Sequence, residues 1–599
     1  MNVVRSLFFL FLFIFIALSC SVAFAKTADQ QLESLMTAEW DYEMQHNPVW
    51  ASVLGDRRWN DRWDDLSLTA IEADRKHHQQ VLARLRKVDP KALTPANRLN
   101  RELLIDLYST WLEEDGFRWF LVPESHITGL PEDFRMRTGV QSAGQLSTTL
   151  RFEQLKDFED WNARLASFGR YVDQVIALMR EGIKVGMVQP KPVASRIPAQ
   201  IENQLASRAE DSLFYKPFVK MPAAISADQQ AQLALQARTN IDQTVFPALK
   251  RFRDFLMSEY IPAAPASAGA WQWPNGPQMY AFFVRKYTTT ALTPEQVHQI
   301  GLSEVKRIRS AMEALMRETG FNGTLKDFFN FLRTDKRFYY TDPQQLLLQY
   351  RNLAKSIDPK LVKIAGTLPR VPYGVEPTPA EVAPDATTGF YYPAASDGSR
   401  PGTYLVNLYR PETRPKWEMV SLTLHEAVPG HHLQTALAME MSNVPNFRRF
   451  GSYTAYVEGW ALYCETMLGY DLGMFNDPYD RFGQLAFEMW RAVRLVVDTG
   501  LHSKRWTRQQ AIGYFLENTP RQELDVTNEV DRYISWPGQA LAYKLGELKI
   551  RELRKAAEQQ LGPRFDLRAF NDHVLGAGPL PLNVLEKRIT EWVAVQKAK

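Results

Sequence analysis

The chain has 599 residues, with 71 Lys and Arg against 68 Asp and Glu and a formal net charge of +3 at pH 7. So even a balance gives no reason to expect a nucleic-acid or anionic-membrane partner, while 45% hydrophobic content supplies ample material for a buried core. The two cysteines, Cys20 and Cys464, offer no disulfide framework, so stability must come from packing.

At the amino end, Arg5 precedes an apolar run from Leu7 to Leu18 and then small residues ending in Ala23-Phe24-Ala25. This is the pattern of a secretory signal peptide over residues 1–25, too short and wrongly flanked for a membrane anchor, with cleavage after Ala25. A soluble periplasmic or secreted protein is expected. Leu18-Ser19-Cys20 weakly resembles an acylation site, so a lipid anchor at Cys20 is the alternative. No later stretch is long and apolar enough to span a bilayer.

Most of the remaining chain reads as amphipathic helices. Thr293-Pro294-Glu295-Gln296, for example, leads into a helix near Val297 to Arg317. His77 and His78, among Arg75, Lys76 and Gln79, read as a solvated helix face. The small-residue passage Pro262 to Gly269 divides a helical amino-terminal region, 26–265, from a second helical region, 266–599. The Pro-rich passage Leu368 to Pro401 reads as a long loop, and Gly402 to Leu408 alternates like a short strand. The expected fold is mainly α with a small antiparallel β element.

His425-Glu426-Ala427-Val428-Pro429-Gly430-His431-His432 gathers three imidazoles and a carboxylate in a chain with ten histidines. Neutral imidazoles hold Zn²⁺ with a coordination position open, and a neighbouring carboxylate can take a proton from bound water. The spacing is not that of H-E-x-x-H, because Pro429 stands where the second histidine belongs. On an unbroken helix His425 and His432 would lie roughly 10.5 Å apart along the axis, and His431 would point about 120° away from His425. One ion could then not be shared, so the helix must break, and Pro429-Gly430 is a suitable device. Spacing alone leaves His431 and His432 open as the second ligand. Glu458, alone among Tyr, Val, Trp and Leu, is costly to bury unless it is paired or binds a metal, and is the expected third ligand. Glu465, seven residues on, is a candidate partner for a ligating histidine.

Four ordered motifs, His425 to Gln434, Glu458 to Tyr463, Arg494 to His502 and Pro537 to Gly546, with Leu54 to Arg57 near the start, resemble the bacterial family of domain of unknown function 885. That family looks related to helical gluzincin metallopeptidases. The resemblance implies a large helical architecture, a metal held by His425, His431 and Glu458, with His431 favoured because a Gly precedes it, and an edge strand at Gly402 to Leu408 that pairs with a peptide substrate. It also implies His or Tyr residues, here His502, Tyr533 and Tyr543, that polarise the scissile carbonyl.

Spacing adds to this. Arg494, Asp498 and His502 stack on one helix face, so Asp498 is placed to orient His502. Gln539 and Tyr543 share a face of a helix that Pro537-Gly538 begins. The expected substrate contacts are His432, Tyr404, Asn407, Arg494, Gln539 and Lys544, and a carboxypeptidase-like mode follows if Arg532 or Lys544 meets a terminal carboxylate. The expected function is a zinc-dependent peptidase with Glu426 as general base. The alternatives are a zinc amidase of another substrate class and a secreted metal-binding protein without activity.

Overall fold

Helices dominate because the chain repeatedly supplies their caps. At helix α1, Pro294–Glu318, the Thr293 hydroxyl accepts from the Gln296 N–H at 3.2 Å, and the Gln296 side chain accepts from the Thr293 N–H at 2.9 Å. The same reciprocal box opens helices at Ser226 and Thr507. The structure, a computed structural model, describes residues 26–128, 139–380, 383–384, 386–395, 398 and 400–599. The expected signal peptide and Cys20 lie outside them. Among the described residues, no helix is long and apolar enough to cross a membrane.

The 31-residue helix Leu155–Val185 buries Phe158, Trp161, Leu165, Phe168, Val172, Val175 and Met179 at alternating steps of three and four, the period of one helical face. These residues share a core that runs from Val49 to Ala264. A second core joins Val305, Ile308 and Met312 of α1 to Met489, Val493 and Val496 of the long helix Pro478–His502. His77 and His78 depart from the solvated face expected of them. Their helix turns toward Ala28–His46, where His77 Nε2 lies 2.7 Å from Glu39 and His78, 3% exposed, lies 3.3 Å from Glu43.

The Leu368 to Pro401 passage is not simply a loop. It contributes strands β1, Tyr373–Pro377, and β2, Gly389–Tyr392, which flank β3, Gly402–Val406, in the order β1-β3-β2. Since β1 runs parallel to β3 and β2 antiparallel, the sheet is mixed rather than antiparallel. The alternation of β3 is real, with Tyr404 and Val406 buried against Leu346, Tyr350 and Leu422. Its place is central, however, so the strand expected at the sheet edge is flanked on both sides and β1 and β2 form the edges instead.

Candidate metal centre

Helix α2, Met419–Glu426, stops at the motif's glutamate, and α3, His431–Glu440, starts at its second histidine. The break falls at the expected residues. Gly430 is required there by a close approach, not by a left-handed backbone: its φ is −74°, and a Cβ would lie 1.9 Å from the His425 carbonyl oxygen. Trp460 pins the turn, its indole N–H donating to the Pro429 carbonyl at 2.8 Å. Trp460 belongs to α4, Thr454–Tyr463, which also carries Glu458.

The turn swings His431 back over the end of α2. Ligand atoms of His425, His431 and Glu458 all lie within 4.8 Å of one another. Glu458 Oε2 is 3.5 Å from Nε2 of each histidine. A tetrahedron with Zn–N and Zn–O bonds of about 2.1 Å has edges of roughly 3.4 Å, so these separations fit ligands around a shared ion. Buried Glu458 Oε2 has no hydrogen-bond partner among the described residues, as expected of an atom reserved for a cation. The two imidazole planes stand at 87°. These donors, two imidazoles and one carboxylate, suit zinc.

Behind His425, Nδ1 donates to Glu465 Oε1 at 2.6 Å, which leaves Nε2 to face the triad. Glu465 reaches that position because the helix widens after Tyr463 into a π turn, Cys464–Leu468. Without an ion, burial lowers the His425 pKa, but the neighbouring carboxylates of Glu458 and Glu465 outweigh it and push it up to about 9. Burial raises the Glu458 carboxyl, and the two histidines more than reverse that, holding it well below the usual range. Glu426 is 8% exposed. One of its oxygens, Oε2, accepts the Tyr391 N–H at 2.8 Å, and burial raises its pKa although His425 and His431 oppose the shift. That N–H lies on the edge strand β2, a contact that sequence reasoning missed. The signal was available in the Gly389-Phe390-Tyr391-Tyr392 run, which has strand composition inside the Pro-rich passage.

Several expected site residues belong elsewhere. His432 is 2% exposed and hydrogen-bonded to the Tyr391 hydroxyl at 3.0 Å, so it supports β2 rather than touching substrate; burial lowers its pKa to about 4. Tyr404 is fully buried beneath the sheet. Asn407 spends its amide on the carbonyls of Ala383, Ala386 and Thr387 and cannot meet substrate. His502 is not an oxyanion donor. Its Nδ1 accepts the Ala270 N–H at 2.9 Å, and its Nε2 donates to the Tyr533 carbonyl at 2.9 Å. Asp498 does not orient it, because it accepts instead from the Tyr280 hydroxyl at 2.6 Å and the Gly538 N–H at 3.2 Å. Lys544, 0% exposed, lies 2.8 Å from Glu488, 2.8 Å from Glu547 and 3.1 Å from Glu304, which occupies its three protons.

The two tyrosines divide. Tyr533 donates to Glu529 at 2.7 Å and accepts from Arg494 Nε at 2.9 Å, so its proton is committed. Tyr543 accepts from Arg532 at 3.1 Å, and no described residue takes its own proton. Gln539 Oε1 also accepts from Arg532, at 2.6 Å. Arg494, Gln539 and Tyr543 thus meet in one cluster around Arg532, which the spacing of Pro537 to Tyr543 only partly foretold.

Fold and site together define a class: a large helical protein carrying a two-histidine, one-glutamate triad beside a buried carboxylate and a small mixed sheet. The chain belongs to the family of bacterial proteins of unknown function DUF885, whose model matches residues 48–589. It is 30% identical to a protein of Colwellia psychrerythraea whose crystal structure is described as that of a "putative lipoprotein", with a TM-score of 0.89 over 95% of this chain and 100% of that one. A protein of Shewanella oneidensis, described as a "putative lipoprotein of unknown function", shares the fold at 17% identity and a TM-score of 0.72, covering 93% and 99% of the two chains. No curated protein matches the sequence.

Proposed function

We propose that this protein is an exported zinc-dependent peptidase acting on short peptides. The observation that carries the reading is the triad of His425, His431 and Glu458, with both histidines 3.5 Å from Glu458, set beside Glu426, a carboxylate that a structural metal site does not need. Zinc held there would lower the pKa of a bound water and polarise a carbonyl. Glu426 would take the proton and pass it to the leaving amine; Tyr391 fixes its Oε2, and its raised pKa suits a group that must briefly keep a proton. Tyr543 is the phenol free to donate to a developing oxyanion. The β2 edge would align an extended peptide through main-chain hydrogen bonds. Export is supported by the apolar amino-terminal run and by the lipoprotein description of the Colwellia protein; a soluble periplasmic or secreted form is the leading version and a lipid anchor at Cys20 the alternative.

The test is digestion of a short-peptide mixture by the zinc-loaded mature protein, read by mass spectrometry, beside Glu426→Gln. Wild type should cleave, and the variant should keep its zinc while losing at least roughly a hundredfold in rate. Equal cleavage by the variant would overturn the assignment of the base. Failure of wild type to bind zinc would overturn the metal reading.

A further inference from the structure

One Glu465 oxygen joins the triad to a second built site. Glu465 Oε1 accepts from His425 at 2.6 Å and lies 3.5 Å from an Arg491 amino group. Arg491 belongs to helix α5, Pro478–His502, and one turn along it stands Arg494. Both guanidinium carbons lie 4.6 Å from the Trp490 ring centre, and Arg521 stacks on the same ring at 3.6 Å. Helix α6, Glu523–Ser535, adds Arg532, which holds the Tyr543 hydroxyl, while the Tyr543 ring lies 4.4 Å from Arg494. Four guanidinium groups therefore gather around Trp490 and Tyr543.

The local carboxylates do not match them. Glu529 pairs with Arg494 at 3.0 Å and is held at about 2, burial opposing and Arg494 and Arg532 favouring its ionised form. Glu465 is shared with His425. Glu418, 3.6 Å from Arg521, is pushed toward its neutral form by burial. Arg491 and Arg494 are 4% and 3% exposed, yet Arg491 Nε, Arg494 Nη1 and Arg532 Nε are buried with no hydrogen-bond partner among the described residues. Buried cations with unsatisfied donors are costly unless an anion completes them. The planar guanidinium fork suits a carboxylate, and aromatic stacking fixes its orientation.

We propose that this arginine cluster receives a carboxylate of the substrate, so that the protein removes residues from the free carboxyl end of short peptides. The inference rests on the peptidase reading for the bond broken, but not for the anion bound. Arg532 on one side and Arg491 behind His425 would bracket the terminal carboxylate, with Tyr543 between it and the scissile carbonyl. Lys544, tied to three glutamates, takes no part.

The experiment pairs cleavage with binding. Zinc-loaded wild type is given one peptide as free acid and as carboxyl-terminal amide, each with and without an internal Asp. Calorimetry follows the same four peptides on zinc-loaded Glu426→Gln, alone and combined with Arg532→Gln or Arg521→Gln. Expected are cleavage of the free acids alone, whatever the internal residue, and binding weakened roughly tenfold or more by each arginine change with zinc content and melting temperature retained. Amides cleaved and bound as well as acids would overturn the carboxylate pocket and leave the peptidase standing. Amides accepted only with Asp would assign the cluster to an acidic side chain and overturn carboxyl-end trimming. Binding of free acids that depends on the arginines, with no peptide cleaved, would uphold the pocket and overturn the peptidase reading. If one arginine variant melts early, the other carries the comparison.

Discussion

Three carboxylates surround His425 and divide the control of its ring. Glu465 takes the proton of Nδ1, Glu458 faces Nε2, and Glu426 adds charge from the next position in the chain. Removing Glu465 should therefore loosen the ion without removing a ligand, and Glu465→Ala is expected to weaken zinc binding about 10–100-fold in a competitive chelator titration. His431→Ala should abolish binding and His432→Ala retain it, because His432 is engaged with Tyr391. His502 answers to pH instead. Burial lowers its pKa to about 4 from 6.5, so its contribution is complete above pH 6.5 and is lost as pH falls toward 4, by roughly 3 kcal/mol in all. His502→Gln should be less stable than wild type at pH 7.5 yet lose less on moving to pH 5; an unchanged difference in urea midpoints would refute this. At this scale the sequence reads unevenly. His425, Glu426 and Glu458 declare themselves because their residue types are costly where they stand. The choice between His431 and His432 depends on the path of four backbone residues, which spacing cannot give. His502 misled because its partners, the Ala270 amide and the Tyr533 carbonyl, are remote in sequence, and Lys544 because two of its three, Glu304 and Glu488, are.

The element that presents Glu458 is held by glycine. Helix α4 crosses α7, Ala542–Leu561, where a Cβ on Gly459 would lie 2.5 Å from the Gly546 carbonyl carbon and one on Gly546 would lie 1.8 Å from the Ala455 carbonyl oxygen. The two backbones touch, one residue from a ligand and three from Tyr543. Gly546→Ala must separate the helices, and an overpacked contact of this kind costs about 1–3 kcal/mol. Its melting temperature should fall and its zinc affinity should fall with it; full zinc affinity at a lowered melting temperature would show that the crossing does not position Glu458. The helices themselves were legible from caps and periodicity. Of the sheet only β3 was, since β1 and β2 are short runs of four or five residues whose pairing depends on β3 from beyond the loop.

Across the whole molecule, the triad ties together α2, α3 and α4, so an ion bound there stabilises the folded chain by mass action. At a free zinc concentration a thousandfold above the dissociation constant the gain is about 4 kcal/mol. Chelation should lower the melting temperature of wild type measurably and leave that of His431→Ala almost unchanged. The core from Val49 to Ala264 lies apart from the ligands, and its unfolding should respond to zinc less than that of the region around Trp460.

The position of Glu426 against β2 also bears on how these molecules behave in a crowd. An edge strand is a template on which a second copy can add its own strand and begin an aggregate. Here the template is four residues long, and the Tyr391 N–H is already occupied by Glu426, whose buried negative charge would sit in the path of an incoming backbone carbonyl. The residue proposed for proton transfer would thereby also act as a gatekeeper, discouraging self-association at this edge and leaving an extended peptide only the β2 backbone groups other than the Tyr391 N–H.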